Sequence, residues 1–184
     1  MRCWEPDDAE VLLEAIRVSL DHLRTWMSWA VDEPTSVDDK RKLLETFRRE
    51  FHAGTNYVYG IFDRTTGRVL GGTGLHPRRT PRDLEIGYWI RADATRLGYA
   101  TEATAVLTRV ALEVVGVERV VILVDPRNEA SLGVPRKLGF VEGETLDGQL
   151  LPLPGEVDKR PSVVFTLERA PHPTPPIEAF SFDL

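Results

Sequence analysis

The chain has 184 residues, of which 42% are hydrophobic and 28% are charged, and its formal net charge is −6 at pH 7. This composition is typical of one soluble globular domain, and the negative charge argues against a nucleic-acid partner. The single cysteine, Cys3, excludes an internal disulfide and a multi-cysteine zinc site, and we expect it in the core of a short first strand. The sequence shows neither a secretory signal nor the ~20 apolar residues of a membrane span, so we expect a cytoplasmic protein without a membrane partner.

The first half of the chain predicts helices followed by strands. Apolar residues at a spacing of three and four predict the helices, and alternation from residue 56 onward predicts the strands. Ser36 has the position of a helix cap, because carboxylates follow it in the first turn. The predicted elements are helices over 7–20 and 36–54 and strands over 56–62, 68–75 and 84–90.

The second half predicts a parallel strand–helix–strand unit. The short apolar run from Val120 to Val124 is typical of a strand covered on both faces, and a crossover helix precedes it. Pro135 removes the N–H that would bond to the carbonyl of Ser131, which predicts an irregular turn at Ser131. The predicted elements are helices over 98–115, with Val114 on the apolar face, and over 129–138, and strands over 120–124, from 140 and over 162–167.

A glycine turn before the helix at 98–115 has the features of an anion site. Backbone N–H groups at a helix start are free, and Gly98 lets a ligand approach them closely. A tight turn alone explains this glycine equally well. A second motif makes the pattern more specific: Asn128 and Ser131 precede the segment Lys137-Leu138-Gly139-Phe140.

Taken together, these motifs resemble those of the GNAT acyltransferase superfamily, and within it the RimJ/RimL-type acetyltransferases. The segment from Thr95 to Ala100 is similar to the family pattern Q/R-x-x-G-x-G/A, and Asn128 and Ser131 match N-x-x-S before K-L-G-F. The resemblance covers roughly residues 1–168 as a single domain, and it leaves a proline-rich tail over 169–184 that we expect to dock on the chain or on a second subunit.

The resemblance implies an α/β fold of the α+β mixed-sheet kind. In the GNAT fold a central, mostly antiparallel sheet contains a parallel β-α-β cofactor unit and is flanked by about four helices. The resemblance also implies an acetyl-CoA-dependent N-acetyltransferase that transfers an acetyl group to a primary amine and uses coenzyme A without a metal. Thr95 and Leu97 depart from the family pattern, and Arg96 is the candidate that supplies the missing contact to phosphate.

The resemblance further implies the residues of the site. Asn128 bonds the pantetheine arm, although Asn is also a common helix cap. Ser131 lies near the thioester sulfur as proton donor, a role that a bound water or Tyr88 could fill equally. The backbone around Trp89 and Ile90 offers an N–H to the thioester oxygen. The predicted cofactor residues are Trp89, Ile90, Arg96, Leu97, Gly98, Tyr99, Ala100, Thr101 and Asn128.

The candidate general base is Glu85, at the start of the strand over 84–90. Because an α-amino group has a reference pKa near ~8, only modest base assistance is needed at neutral pH. A surface ion pair with nearby arginines explains Glu85 equally well, and His76 is a second candidate base.

The predicted acceptor site is the loop between the first two helices. Trp26 and Trp29 would wall the cleft, and Glu33 with Asp32 would receive a cationic amine of a small molecule or a peptide. A homodimer is a further option. The alternative function is a non-catalytic acyl-CoA-binding sensor or regulatory module, because the glycine turn indicates binding and only Glu85 and Ser131 indicate turnover.

Overall fold

The computed structural model of the protein describes residues 1–77, 80, 82–153 and 155–168. One seven-stranded sheet has the order β1-β2-β3-β4-β5-β7-β6, and every neighbouring pair is antiparallel except β4 and β5. The strands are β1 Arg2–Cys3, β2 Tyr57–Phe62, β3 Val69–His76, β4 Asp83–Ile90, β5 Arg119–Val124, β6 Val141–Leu150 and β7 Arg160–Glu168. The mixed sheet with one parallel pair confirms the predicted fold class, and the predicted tail over 169–184 lies outside the described residues.

Five α-helices among the described residues flank the sheet. They are α1 Ala9–Arg17, α2 Leu20–Arg24, α3 Val37–Ala53, α4 Tyr99–Arg109 and α5 Glu129–Lys137. The predicted cap of α3 is present, because the Ser36 side chain accepts a hydrogen bond from the Asp39 N–H at 3.1 Å. The helix ends at Gly54, whose φ of 68° is left-handed.

The prediction of one helix over 7–20 is wrong, because the chain breaks between α1 and α2. Ser19 leaves the helical conformation, with φ −113° and ψ 6°, and its side chain turns toward the sheet. The Ser19 hydroxyl accepts a hydrogen bond from the Ala92 N–H at 3.0 Å. A polar contact between distant parts of the chain therefore ends the helix that the apolar spacing would continue.

The predicted helix over 98–115 is α-helical only as far as Arg109 and then widens into a π-helical segment, Val110–Val115. The wider segment rotates the residues that follow it relative to the α-helical face. Ala111 therefore stays in the core, whereas Val114, predicted on the same face, is 66% exposed.

Three apolar clusters among the described residues cover the two faces of the sheet, and the two larger ones form its main cores. Successive residues of β4 point to opposite faces of the sheet. Ile86 lies in the core under α4 and α5, and Trp89 packs against the core under α1 and α3. Trp4 is buried in the second core, whereas Cys3, which we predicted in the core, is only half-buried. Cys3 belongs to a two-residue edge strand, and solvent therefore reaches it.

The two parallel strands separate along their length. They pair at only three positions, Asp83–Arg119, Leu84–Val120 and Glu85–Val121. Beyond these positions β4 continues to Ile90 and β5 to Val124 with no mutual pairing. The sheet therefore opens at the carboxyl ends of these strands, next to the starts of α4 and α5.

Candidate active site

A cleft of about 630 Å³ lies at this opening. Residues from α2, the end of β4, the turn before α4, and the first turns of α5 line it. Every predicted cofactor residue lines the cleft except Leu97, whose side chain is 65% exposed. Trp26 and Ser131 also line it. The fold therefore brings together motifs that are separated by about a hundred residues in the sequence.

The backbone of β4 presents unpaired groups to the opening. The Arg91 N–H donates to the Leu70 carbonyl at 2.8 Å. In an antiparallel pair every second residue bonds to the neighbouring strand, so this bond tells which backbone groups of β4 face β3. By this alternation the backbone of Trp89 faces β3, whereas the N–H and C=O groups of Tyr88 and Ile90 face the gap toward β5. Of the two predicted backbone donors, the geometry therefore favours the N–H of Ile90.

The turn before α4 has an unusual backbone. Arg96 has a φ of 66° and Gly98 a φ of 91°, and both values are left-handed. A Cβ atom at Gly98 would meet no protein atom within 4 Å, so the space beside the turn is open to a ligand. The N–H groups of the first helical turn, Tyr99 to Thr101, have no acceptor within the helix and are available to an anion.

Partly buried hydrogen bonds of one arginine support the segment that leads into this turn. The Arg91 side chain is buried and donates to Glu14 of α1 at 2.7 Å and to Asp93 at 2.9 Å. These hydrogen bonds from Arg91 lower the pKa of Glu14. The connection between β4 and α4 is thus fixed to α1 before any ligand binds.

The cleft is basic although the whole chain is acidic. Arg96, Arg127 and Lys137 line it, and among the lining residues that the structure describes Glu129 is the one carboxylate. A ligand that carries phosphate groups therefore meets a local excess of positive charge in the cleft, although the net charge of the whole chain is −6. Together with the free N–H groups and the open space at Gly98, this charge fits a long, phosphate-bearing cofactor.

The start of α5 holds the second motif. The Asn128 side-chain oxygen accepts from the Ser131 N–H at 3.1 Å, so Asn128 is the helix cap that the sequence allowed. Ser131 lies in the first turn of a regular helix, which corrects the predicted irregular turn: the chain stays helical through Pro135. The Ser131 Oγ is 2.9 Å from the Tyr88 hydroxyl. Burial raises the pKa of Tyr88 to about 12, with a smaller opposing effect of the Ser131 hydrogen bond.

A buried carboxylate joins the two walls of the cleft, and the sequence analysis did not single it out. Asp125 accepts from Arg127 at 2.8 Å and from Arg160 at 2.6 Å. Burial alone would raise the pKa of Asp125, but these hydrogen bonds outweigh it and lower the pKa to about 2. Arg160 also donates to the Trp26 carbonyl at 3.3 Å. No local pattern could reveal this contact, because Arg160 lies 35 residues from Asp125 and 134 from Trp26.

The chain matches the acetyltransferase (GNAT) domain family over residues 1–141. It belongs to the GNAT acetyltransferase family. A Bacillus subtilis (strain 168) protein named as a ribosomal N-acetyltransferase, YdaF, is 34% identical over 152 residues, which cover 80% of this chain and 81% of that protein. The match confirms the predicted family and the predicted activity: the protein is an N-acetyltransferase that uses acetyl-CoA.

Solved structures of GNAT acetyltransferases share the fold. A ribosomal-protein-serine acetyltransferase from Vibrio cholerae superimposes with a TM-score of 0.76 at 26% identity, over 91% of each chain. RimL, a ribosomal L7/L12 α-N-protein acetyltransferase in complex with coenzyme A, gives a TM-score of 0.80 at 19% identity, over 91% of this chain and 92% of that one. The second likeness concerns the fold alone.

Besides Leu97, three predicted residues of this acetyltransferase lie outside the cleft lining. Glu85 sits in the paired part of β4, opposite His76 of β3 and below the opening. Trp29 is 42% exposed and contacts the Trp89 ring edge-on, with 6.1 Å between ring centroids. Glu33 is buried, where its carboxylate pairs with Lys40 of α3.

The geometry of Glu33 rules out the role that we predicted for it. Besides Lys40, its carboxylate accepts from the Thr35 N–H at 3.0 Å. A carboxylate engaged in a buried ion pair cannot bind a cationic acceptor without breaking that pair. Glu33 therefore fixes the connection between α2 and α3 to α3 itself. Sequence reasoning also missed His22, which lines the cleft on the α2 side.

The described part of the chain has neither a metal-binding cluster of side chains nor a membrane-spanning helix. Within 1–77, 80, 82–153 and 155–168, no three His, Cys, Asp or Glu side chains are grouped to hold a metal ion. Among the helices of the same residues, none is long and apolar enough to cross a membrane.

Proposed function

We propose that this N-acetyltransferase acetylates the α-amino group at the N terminus of a protein, in the cytoplasm. The observation that supports this most is the shape of the cleft. The turn at Gly98 lies on its α4 side, and the buried Leu23 with the half-buried Trp26 and Met27 forms an apolar wall on its α2 side. The names of the relatives from Bacillus subtilis and Vibrio cholerae, which refer to ribosomal proteins, support a protein acceptor.

In this proposal acetyl-CoA lies in the opening between β4 and β5. The N–H groups of Tyr99, Ala100 and Thr101 would hold its pyrophosphate, and the side chain of Arg96 would add positive charge. The pantetheine arm would use the free backbone groups of Tyr88 and Ile90, as an added strand uses a sheet edge. Asn128, whose oxygen already caps α5, would offer its side-chain N–H groups.

The reaction joins the amine nitrogen to the acetyl carbon and breaks the bond from that carbon to sulfur. An amine that arrives as an ammonium group first gives one proton to the base, and the neutral nitrogen then loses a second proton while the sulfur gains one. The Ile90 N–H would stabilise the negative charge that develops on the thioester oxygen. Ser131 would donate a hydrogen bond to the departing sulfur, because its hydroxyl lies at the cleft beside Tyr88.

Glu85 remains our candidate for the general base, acting through water. Its position below the opening leaves it outside contact with an amine in the cleft, so a direct proton transfer is unsuitable. Gly87, between Glu85 and Trp89 on the same sheet face, has no side chain to separate them. His76 is the second candidate, and its Nδ1 is 2.6 Å from the Asn56 side-chain oxygen.

The experiment is a screen for thiol release from acetyl-CoA. The panel contains peptides with free N termini, the same peptides with blocked N termini, polyamines and aminoglycosides. We expect release with free N termini and none with the blocked ones. Release with polyamines or aminoglycosides alone would contradict the protein acceptor, and binding of acetyl-CoA without any release would favour the sensor function.

A homodimer is a separate proposal, which sedimentation at several protein concentrations tests. We also propose residues 1–168 as the catalytic domain, since the single sheet runs from Arg2 to Glu168. A variant that ends at residue 168 should keep the full activity of the whole chain.

A further inference from the structure

The carbonyl of Ser131 lacks its helical partner. In an α-helix it would accept from the N–H four residues later, but that residue is Pro135, which has none. The Tyr88 hydroxyl lies 3.2 Å from this carbonyl oxygen and donates to it. A side chain from β4 therefore takes the place of the missing backbone donor in α5.

The same hydroxyl lies within hydrogen-bond distance of a second acceptor on the same residue, the Ser131 Oγ at 2.9 Å. Tyr88 has only one proton and can donate to one of the two oxygens at a time. When it donates to the carbonyl, the Ser131 proton can point to the tyrosine oxygen. When it donates to Oγ, the Ser131 proton is free for another acceptor in the cleft.

Tyr88 is suited to remain a donor in both arrangements. Its ring packs against the core under α4 and α5, which fixes the position of the hydroxyl. Burial raises its pKa to about 12, so the phenol stays protonated across the pH range in which a thiol of reference pKa near ~8.5 ionises. Ser131 lines the cleft at this point, so a third acceptor there would be within its reach.

We propose that Tyr88 is a positioning residue that turns the Ser131 hydroxyl toward the sulfur of bound coenzyme A. This inference rests on the proposed function of Ser131. When the sulfur carries negative charge, Ser131 donates to it and Tyr88 donates to the Ser131 Oγ, so Oγ keeps a hydrogen bond in both states. Pro135 leaves the Ser131 carbonyl open as a second acceptor, to which Tyr88 donates when no thiolate is present.

The test uses binding of coenzyme A and of desulfo-coenzyme A, which lacks the thiol, and it needs no acceptor. Calorimetric titrations with a reductant, at about pH 7 and about pH 9.5, give the ratio of the two affinities. In the wild type we expect the preference for coenzyme A to rise with pH, because the thiolate accepts the Ser131 hydrogen bond. In Tyr88→Phe the increase of this affinity ratio between the two pH values should be about three- to tenfold smaller, and the affinity for desulfo-coenzyme A should be nearly unchanged.

Two further variants separate positioning from folding. Pro135→Ala restores a backbone donor to the Ser131 carbonyl and raises helix propensity, so it should be at least as stable as the wild type. With its carbonyl already bonded, Ser131 Oγ is the acceptor left to Tyr88, so the increase in the affinity ratio with pH should be at least as large as in the wild type. Tyr59→Phe is the matched control, since burial also raises the pKa of Tyr59 to about 12 and Tyr59 lies on β2, outside the cleft lining.

The outcomes distinguish this inference from the proposed function. An unchanged increase with pH in Tyr88→Phe overturns the role of Tyr88. A smaller increase in Pro135→Ala than in the wild type overturns the competition of the two Ser131 oxygens for the Tyr88 proton. If the wild type binds coenzyme A but its preference over desulfo-coenzyme A does not increase with pH, the inference as a whole is overturned. A wild type that binds neither compound contradicts the proposed function instead. The other titratable side chains lining the cleft, His22, Arg96, Tyr99, Arg127, Glu129 and Lys137, are the same in every variant, so the comparison isolates the Ser131 contact.

Discussion

Arg160 and Asp125 form a buried ion pair, with 2.6 Å between Nη1 and Oδ2, that connects the two walls of the cleft. Through Asp125 the pair reaches the loop that presents Asn128, whose N–H donates to the Asp125 carbonyl at 2.9 Å. Through Arg160 it reaches the backbone of Trp26 on the opposite wall. The cofactor side and the acceptor side of the cleft therefore share one electrostatic support.

Asp125→Asn should destabilise the protein in a pH-dependent way. The variant leaves the buried Arg160 with the more distant Glu156, at 3.4 Å, in place of its closest counter-charge, and we expect a loss of about 3 kcal/mol in the free energy of unfolding near pH 7. Because the folded pKa of Asp125 is lowered to about 2, its contribution is complete above the unfolded pKa of about 4 and is lost as pH falls toward about 2. Urea unfolding of the wild type and the variant across this pH range measures the difference in their free energies of unfolding. A difference in stability that stays constant with pH would contradict this account of Asp125.

Arg160→Lys should weaken binding of the peptide acceptor more than binding of acetyl-CoA. Lysine keeps the charge for Asp125 but cannot also reach the Trp26 carbonyl with a second fixed N–H. We expect KM for the peptide acceptor to rise about fivefold and that for acetyl-CoA to change by less than about twofold. Arg136→Lys, in an exposed pair with Glu142, is the control and should change neither constant. A larger change in the acetyl-CoA constant would reverse the assignment of the two walls.

Gly98→Val should abolish tight binding of coenzyme A in a folded protein. The valine side chain would occupy the open space beside the turn, and we expect calorimetry to show at least about a tenfold loss of affinity. Gly116→Val is the matched control, because Gly116 has a similar φ of 80° and also meets no protein atom within 4 Å, but lies outside the cleft lining. Both variants should lose similar stability from the strained backbone. Equal coenzyme A affinity in the two would place the pyrophosphate elsewhere.

Glu85→Gln should lower turnover by about 10² at neutral pH if Glu85 is the base, with little change in acetyl-CoA affinity. The defect should shrink as pH rises, since a larger fraction of the α-amine is then already deprotonated. A pH–rate profile of the variant, with the exposed Glu10→Gln as control, measures both effects. Full turnover at pH 7 would remove Glu85 from the mechanism and leave His76 or water as the base.

The sequence predicted those parts of the site that depend on local order. The cap at Asn128 and the left-handed turn at Gly98 involve residues within a few positions of each other, so their side chains and backbone preferences determine the geometry. The apolar run of β5 likewise predicted a parallel, buried strand. Family resemblance then supplied the cofactor, which local patterns alone could not identify.

The missing parts of the prediction depend on contacts between distant residues. Tyr88 meets Ser131 across 43 positions, and the break at Ser19 depends on Ala92 across 73. Glu33 was mistaken for an acceptor contact because its sequence neighbours do not reveal that Lys40 is buried beside it. Charged residues acquire their roles from the folded environment, and propensity and spacing do not describe that environment.

The most direct measurement of the central claim is tandem mass spectrometry of the reaction product. The substrate is a peptide with a free N terminus and one internal lysine, incubated with acetyl-CoA and either the wild type or Gly98→Val. The proposed function predicts one acetyl group on the α-nitrogen with the wild type and strongly reduced product with the variant. Acetylation of the lysine side chain alone, or equal product from both proteins, would contradict it.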